Sequence, residues 1–439
     1  MKKVNKYLIS GTIGLLIPYS AYAILVTQNT SSEINKRQLI LDKLEPLPEI
    51  QTINGTLIKY KDFKTFGRFE NPFNEYRIQT IYEFFFNRIV ELFERNRGSV
   101  PTNKDELNKL MPIHKPAWTI SDTPSLLQKK PVAPLNFKII DESLITDGIE
   151  DNETFRDNKP VKNTWLGQSC NFIEHGNLKI LTDPHFSPKL FGKWLGPKRI
   201  TEMPASIDEI PTPHVIVVSH NHPDHMDQIS VDKWGNTDAL WIVPKGLKKK
   251  MINKGCRNVV ELNWWEACEI STTDAKNEDF NQTKYRISCV PAMHWSGRSL
   301  LDANQSLWCS FLIRVGDDTA KSDKPRFSPL VYHAGDTGYV KDLAPRIRQR
   351  YGSGVRLALL PCGQYCPKWH QRSRHIDPEE AIKITRELRA KNTLGVHWGT
   401  FTLSGEPFRE PKEKLEELAA QQGIRDNCYC PELGKTLEF

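Results

Sequence analysis

The spacing of apolar and polar positions divides the chain into stretches of different texture. Tyr7 to Val26 carries no charged side chain; Lys2, Lys3 and Lys6 precede it, and no acidic residue appears before Glu33. Its length suits one bilayer span of roughly 20 residues. Two readings stand side by side. Residues 1–30 are either a retained single-pass anchor or a signal peptide cleaved at the small-x-small sequence Ala21-Tyr22-Ala23. Residues 28–75 are polar and broken by prolines, which predicts a linker. From Glu75 to Arg97, Ile78, Ile81, Tyr82, Phe85, Ile89, Leu92 and Phe93 recur at three- and four-residue intervals. That period predicts an amphipathic helix, packed on the main domain or lying on a membrane. Residues 100–163 are rich in Pro, Asp and Lys and predict an irregular arm.

Beyond Asn163 the pattern changes to short apolar runs between turns. The runs are 179–182, 215–218, 240–243, 310–313, 330–332, 357–360 and 393–396. Runs of this length bounded by Pro, Gly and Asp predict buried strands. A helical pattern from Glu379 to Lys391 lies between two of them. Layered sheets with helices outside are therefore expected, with a domain over 161–435 behind a linker and arm over 31–160.

Composition changes this picture little. Of 439 residues, 38% are hydrophobic and 26% charged, an ordinary globular balance. The net charge of +7 suits an anionic partner such as a phospholipid surface or a nucleic acid, and equally a solvated basic face. Nine cysteines are scattered, and neither Cys362-x-x-x-Cys366 nor Cys428-x-Cys430 has the spacing of a zinc knuckle or redox pair. Most are expected to be reduced and buried.

The chemistry concentrates in Ser219-His220-Asn221-His222-Pro223-Asp224-His225, directly after an apolar run. Three imidazoles and a carboxylate in six residues are ligand types for zinc and related divalent ions. Further candidates follow other apolar runs: His294 after 287–290, Asp336 after 330–332 and His397 after 393–396. A two-metal centre needs this convergence of several strand ends on one rim.

The His-x-His-x-Asp-His motif resembles that of the metallo-β-lactamase superfamily. The flanking strings narrow the likeness: Trp165-Leu166-Gly167-Gln168-Ser169, Asp183-Pro184-His185-Phe186, Pro291-Ala292-Met293-His294-Trp295, Ala334-Gly335-Asp336-Thr337-Gly338-Tyr339, His375-Ile376-Asp377-Pro378 and His397-Trp398-Gly399-Thr400-Phe401. Together they resemble the N-acylphosphatidylethanolamine-hydrolysing phospholipase D family over roughly residues 160–435, with Gly67-Arg68-Phe69-Glu70-Asn71-Pro72 extending it upstream. The resemblance implies an α/β, four-layer αββα sandwich, here with an N-terminal anchor and an irregular or helical arm. It implies one zinc on His220, His222 and His294, a second on Asp224, His225 and His397, and Asp336 bridging them. His375 matches an additional active-site histidine, so the catalytic set is His375, Asp224 and Asp336.

Independently, Asp377 and Pro378 predict a helix start just after His375, a place favourable to phosphate. The two cysteines of Cys362–Cys366, and Arg374 beside His375, depart from the family pattern.

The implied reaction is hydrolysis of N-acylphosphatidylethanolamine to an N-acylethanolamine and phosphatidic acid by a hydroxide that two zinc ions activate. Rivals are another hydrolase of the superfamily (a thioesterase, a lactonase or an RNA-end nuclease) and a catalytically dead membrane scaffold. The implied partners are a membrane phospholipid and the bilayer, with no nucleic acid, and the family implies a homodimer. Trp194, Trp234, Trp264 and Trp265 suit either interface docking or the core. The anchor and arm resemble a mitochondrial, inner-membrane branch of the family; a secretory or periplasmic address is the alternative.

Overall fold

The computed structural model describes residues 2–43, 55–92, 97–118, 135–144, 157–272, 283–299, 301–316, 327–352 and 354–439. Two sheets face each other. One has eight strands: β3 (Asn136–Asp141), β10 (Glu266–Thr272), β11 (Thr283–Val290), β12 (Ser310–Gly316), β13 (Phe327–His333), β14 (Leu357–Pro361), β15 (Asn392–Val396) and β16 (Cys428–Tyr429), in the order β16-β15-β14-β13-β12-β11-β10-β3. The other has seven: β4 (Val161–Gly167), β5 (Cys170–His175), β6 (Leu178–Thr182), β7 (Val215–Val217), β8 (Leu240–Pro244), β9 (Val259–Leu262) and β17 (Thr436–Glu438), in the order β17-β4-β5-β6-β7-β8-β9. A small hairpin, β1 (Phe63–Thr65) and β2 (Arg68–Glu70), lies apart.

The strand β7 shows why the sandwich has four layers. Val215 and Val217 face the second sheet and belong to the core between the sheets. Ile216 and Val218 point the other way and pack with Val231, Trp234 and Met251 of helices α4 (Gln228–Trp234) and α5 (Lys248–Asn253). Both faces of such a strand are buried, so its sequence reads as a continuous apolar run. On the eight-stranded sheet, α6 (Leu343–Tyr351), α8 (Pro378–Glu387) and α9 (Glu410–Gln421) cover the outer face. The short α7 (Lys368–Gln371) lies between β14 and α8.

All seven predicted runs are strands, and the helix expected over Glu379–Lys391 is α8. Three expectations change. The linker over 28–75 is not irregular throughout: helix α1 runs Lys2–Asp42, and β1 and β2 follow. Arg37 ties α1 down by donating to the carbonyls of Lys59, at 3.2 Å, and Lys61, at 2.6 Å. Side-chain propensity alone gave no hint of that anchorage. The arm supplies α3 (Lys104–Leu110) and β3, which pairs antiparallel with β10 and extends the sheet upstream of residue 161; β17 extends the other past 435. The amphipathic helix forms as α2 (Ile81–Leu92), with Phe85, Phe86, Ile89 and Val90 exposed and Tyr82 edge-on to Tyr19 of α1 rather than in the core of the sandwich; Phe93 lies outside the described residues.

No helix among the described residues is long and apolar enough to cross a membrane. The span expected from Tyr7 begins on α1 residues whose side chains lie outside the described set. Of the four tryptophans considered for docking, Trp234, Trp264 and Trp265 are core residues and Trp194 is exposed. None of the nine cysteines forms a disulfide, and eight are buried. The sulfurs of Cys362 and Cys430 lie 3.7 Å apart.

Candidate metal centre

The chain leaves β7 at Ser219 and turns at once through His220 to His225. What holds the turn is Asp183, the first residue beyond β6. Its carboxylate accepts from the Ser219 amide at 2.6 Å, the Ser219 hydroxyl at 2.8 Å, His225 Nδ1 at 2.9 Å and His333 Nε2 at 2.8 Å. Burial pushes that carboxyl up, but His225 and His333 outweigh it and hold it at about 2. Gly335 lets the Asp336 loop press on this turn: a Cβ there would meet the Ser219 side chain at 2.6 Å, and its φ is +59°.

The predicted ligands form two buried groups that share one carboxylate. The first is His220, His222, His294 and Asp336; the second is Asp224, His225, His397 and Asp336. Within each, the ligand atoms lie within 4.8 Å of one another. Asp336 Oδ2 is 3.1 Å from His225 Nε2 and 3.7 Å from His294 Nε2, while Oδ1 is 3.0 Å from His397 Nε2. Asp224 Oδ2 is 3.3 Å from His397 Nε2 and 3.5 Å from His225 Nε2.

The donor set tests whether cations fit. Burial first, then neighbouring imidazoles, push His220 and His222 well below the ordinary histidine value, so both present lone pairs at neutral pH. His220 Nε2 nevertheless faces His222 Nδ1 at 2.6 Å, and His222 Nε2 is buried without a hydrogen-bond partner. Crowded lone pairs and carboxylates in a dry site repel one another unless positive charge joins them. The residues therefore fit divalent cations.

A surrounding row of residues aims the ligands. His294 Nδ1 lies 2.8 Å from the Arg374 carbonyl, and the Asn71 amide donates to the His294 carbonyl at 2.8 Å. Gln168 Nε2 is 2.9 Å from both Asp224 Oδ2 and His397 Nε2. Arg298 donates to Asn221 Oδ1 at 2.9 Å and to the His222 carbonyl at 3.1 Å. Gln168, Asp183 and His397 all hold positive φ, at 52°, 38° and 62°. Non-glycine residues in that region are uncommon and strained, and three of them meet at this rim.

His375 also reaches the rim: its Nδ1 is 3.8 Å from Asp336 Oδ2. The helix start predicted behind it exists, as a capping box in which Asp377 accepts from the Glu380 amide at 2.9 Å and Glu380 from the Asp377 amide at 3.2 Å. That helix end is thus already capped by its own carboxylate, which weakens the expectation that it holds phosphate. Arg374 lies with its guanidinium 5.0 Å from the Trp295 ring centroid, and Trp295 packs edge-on against His222 at 4.2 Å.

Every residue expected at the site is brought to one rim. Sequence reasoning assigned no role to Asp183, Gln168, Asn71, Ser219 or Arg298. Asp183 and Gln168 did carry a signal, since each follows a buried strand at its C-terminal end, as the ligands do.

Residues 179–398 match the model of the beta-lactamase superfamily domain. The chain is 53% identical over 429 residues to the mitochondrial N-acyl-phosphatidylethanolamine-hydrolyzing phospholipase D of Saccharomyces cerevisiae, covering 97% of this chain and 86% of that one. It is 33% identical over 306 residues to N-acyl-phosphatidylethanolamine-hydrolyzing phospholipase D 1 of Caenorhabditis elegans, covering 67% and 80%. Among solved structures, a metallo hydrolase from the archaeon Ignicoccus hospitalis aligns with TM-score 0.45 and 21% identity over 64% of this chain and 98% of that one.

Proposed function

Starting from a chain that belongs to the N-acylphosphatidylethanolamine-hydrolysing phospholipase D family, with the metallo-β-lactamase fold, we propose that it cleaves N-acylphosphatidylethanolamine to phosphatidic acid and an N-acylethanolamine at the paired metal groups. The observation that carries the reading is the sharing of Asp336 between two buried ligand sets.

In this reading His220, His222 and His294 would hold one zinc and Asp224, His225 and His397 the other, with Asp336 a member of both ligand groups. When bound, such ions acidify water and neutralise charge on phosphoryl oxygens. The chain's own residues do the rest. Asp183, through His225 and Ser219, keeps the ligand turn rigid, so the site needs no rearrangement as charge develops. His375 stands beside Asp336, placed to hold the phosphate or to give a proton to the departing ethanolamide oxygen. The water oxygen bonds to phosphorus, the bond from phosphorus to the ethanolamide oxygen breaks, and one proton of the water ends on that departing oxygen, leaving phosphatidic acid and an N-acylethanolamine.

The relative's mitochondrial name supports a mitochondrial location, with the inner membrane as the proposed surface. A homodimer is part of the same proposal.

Metal analysis joined to one assay tests the reading. The purified chain is offered N-acylphosphatidylethanolamine in detergent micelles, with and without chelator, and N-acylethanolamine is measured. Two ions per chain and chelator-sensitive release are expected. Two ions with no release would refute the substrate and point to a thioester, lactone or RNA instead.

A further inference from the structure

Between β6 and β7 the chain throws out a rigid finger whose tip has no partner among the described residues. Lys189 bridges both Gly192 and Lys198, the Leu190 amide donates to the Pro197 carbonyl at 3.0 Å, and the Phe191 amide to the Leu195 carbonyl at 3.0 Å. The turn at Gly196 is tight: its φ is +93°, and a Cβ there would strike the Phe191 ring at 2.6 Å. This frame stops the tip from folding back on itself. Phe191, Trp194 and Leu195 are consequently 52%, 79% and 69% exposed.

The finger's chemistry is one-sided. Lys189, Lys193 and Lys198 surround the tip, and no acidic residue occurs between Asp183 and Glu202. Lys193 and Lys198 are exposed, with Lys193 Nζ 5.1 Å from the Trp194 ring centroid. The base, by contrast, is welded to the metal rim. Asp227, at the end of the ligand turn, accepts from the Phe186 amide at 2.8 Å and the Ser187 hydroxyl at 2.6 Å. Arg199 is buried and donates to the Leu166 carbonyl at 3.1 Å. His185 Nε2 lies 3.3 Å from the Leu190 carbonyl.

We infer that the Lys189–Arg199 finger is a membrane-insertion element that sets the metal rim at the surface of a bilayer containing anionic lipid. A tryptophan flanked by two apolar side chains and ringed by lysines matches the lipid–water boundary: rings settle at headgroup depth, aliphatic parts below, ammonium groups among phosphates. A protein groove would have to supply acidic side chains around an apolar slot, whereas an anionic bilayer offers both everywhere. The inference rests on the phospholipid reading and extends it. The enzyme reaches its substrate without extracting it, because the tip and the ligand turn share one rigid base.

The test is flotation of the full chain with vesicles of phosphatidylcholine, with or without phosphatidylglycerol. Trp194→Ser together with Leu195→Ser should lower the vesicle-bound fraction about tenfold on both. Lys193→Glu with Lys198→Glu should lower it only on the anionic vesicles. Turnover of substrate in vesicles should fall about tenfold in the first variant, while turnover of the same substrate in detergent micelles stays within about twofold. Unchanged flotation would overturn the inference, as would an equal loss in both assays or a change of oligomeric mass, which would make the tip a protein contact. Flotation uses no substrate, so a wild-type chain inactive in both assays would refute the substrate reading and leave the finger to be judged by binding alone.

Discussion

At the rim of the sandwich every ligand residue is at most 8% exposed, and most are held by a second residue that is itself buried. Along α2 the reverse holds: Phe85, Phe86 and Ile89 are more than half exposed, while Tyr82 lies edge-on to Tyr19 of α1 at 5.8 Å and Gln79, just ahead of the helix, bonds to the His370 carbonyl. Both regions are rich in residues that a pattern search would single out. In one the pattern reports convergence of polar groups; in the other it reports only helical period. Periodicity predicts the element, and burial of its partners decides what the element does.

Substitutions at the rim should cost activity, and substitution of an exposed α2 side chain such as Phe86 should cost almost nothing in stability. The largest effect is expected for Asp336→Asn. It should lose metal and reduce turnover by at least about a hundredfold while the chain stays folded by circular dichroism. Full activity in a metal-stripped Asp336→Asn protein would sink the two-group mechanism. His375→Ala should keep both ions and lower kcat by roughly 10²–10⁴-fold; loss of metal instead would reassign His375 as a ligand.

Asp183→Asn removes charge from the residue that aims His225 and Ser219. Metal affinity or turnover should drop by about 10–100-fold, read by competition with a chelator. An unchanged affinity would mean that the turn is held well enough by Gly335 and Ser219 alone.

Glu70 gives a smaller effect of opposite sign. Burial leaves Glu70 Oε2 unpartnered and raises the carboxyl from 4.5 to about 7. The folded chain therefore binds this proton more tightly than the unfolded chain. Its contribution is fully present below 4.5 and is lost as pH rises through about 7. Glu70→Gln should stabilise the protein by about 1–3 kcal/mol at pH 8 and by little at pH 4, measured by urea unfolding at both. The same difference at both values would show that charge is not the cause. Smallest of all, Phe86→Ser should shift stability by no more than about 0.5 kcal/mol, since Phe86 is exposed; a large loss would mean that this face of α2 is covered in solution.

How much of this was legible beforehand follows from the same contrast. The strands at 215–218, 330–332 and 393–396 could be read because burial on both faces writes an unbroken apolar run. The ligands could be read because His and Asp directly after such runs are rare. The roles of Asp183 and Gln168 could not, because a carboxylate or amide that bonds a ligand looks like any loop residue until the neighbouring strand end is in place. Strand β3 escaped because its side chains are mostly exposed, so it carries no apolar run at all. The finger escaped for a related reason: its glycines and lysines read as a loop, and only the bridges from Lys189 make it stiff.

The Asp183–His333 bond crosses from one sheet to the other, and the ligands stretch in sequence from His220 to His397. No partly synthesised or partly threaded chain can hold the complete set. A polypeptide that enters an organelle unfolded must arrive there empty, acquire its ions only once both sheets have closed, and depend on whatever free metal that compartment supplies at that moment. Loading is then a timestamp on the last step of maturation, set by where the chain finishes folding rather than by where it was made.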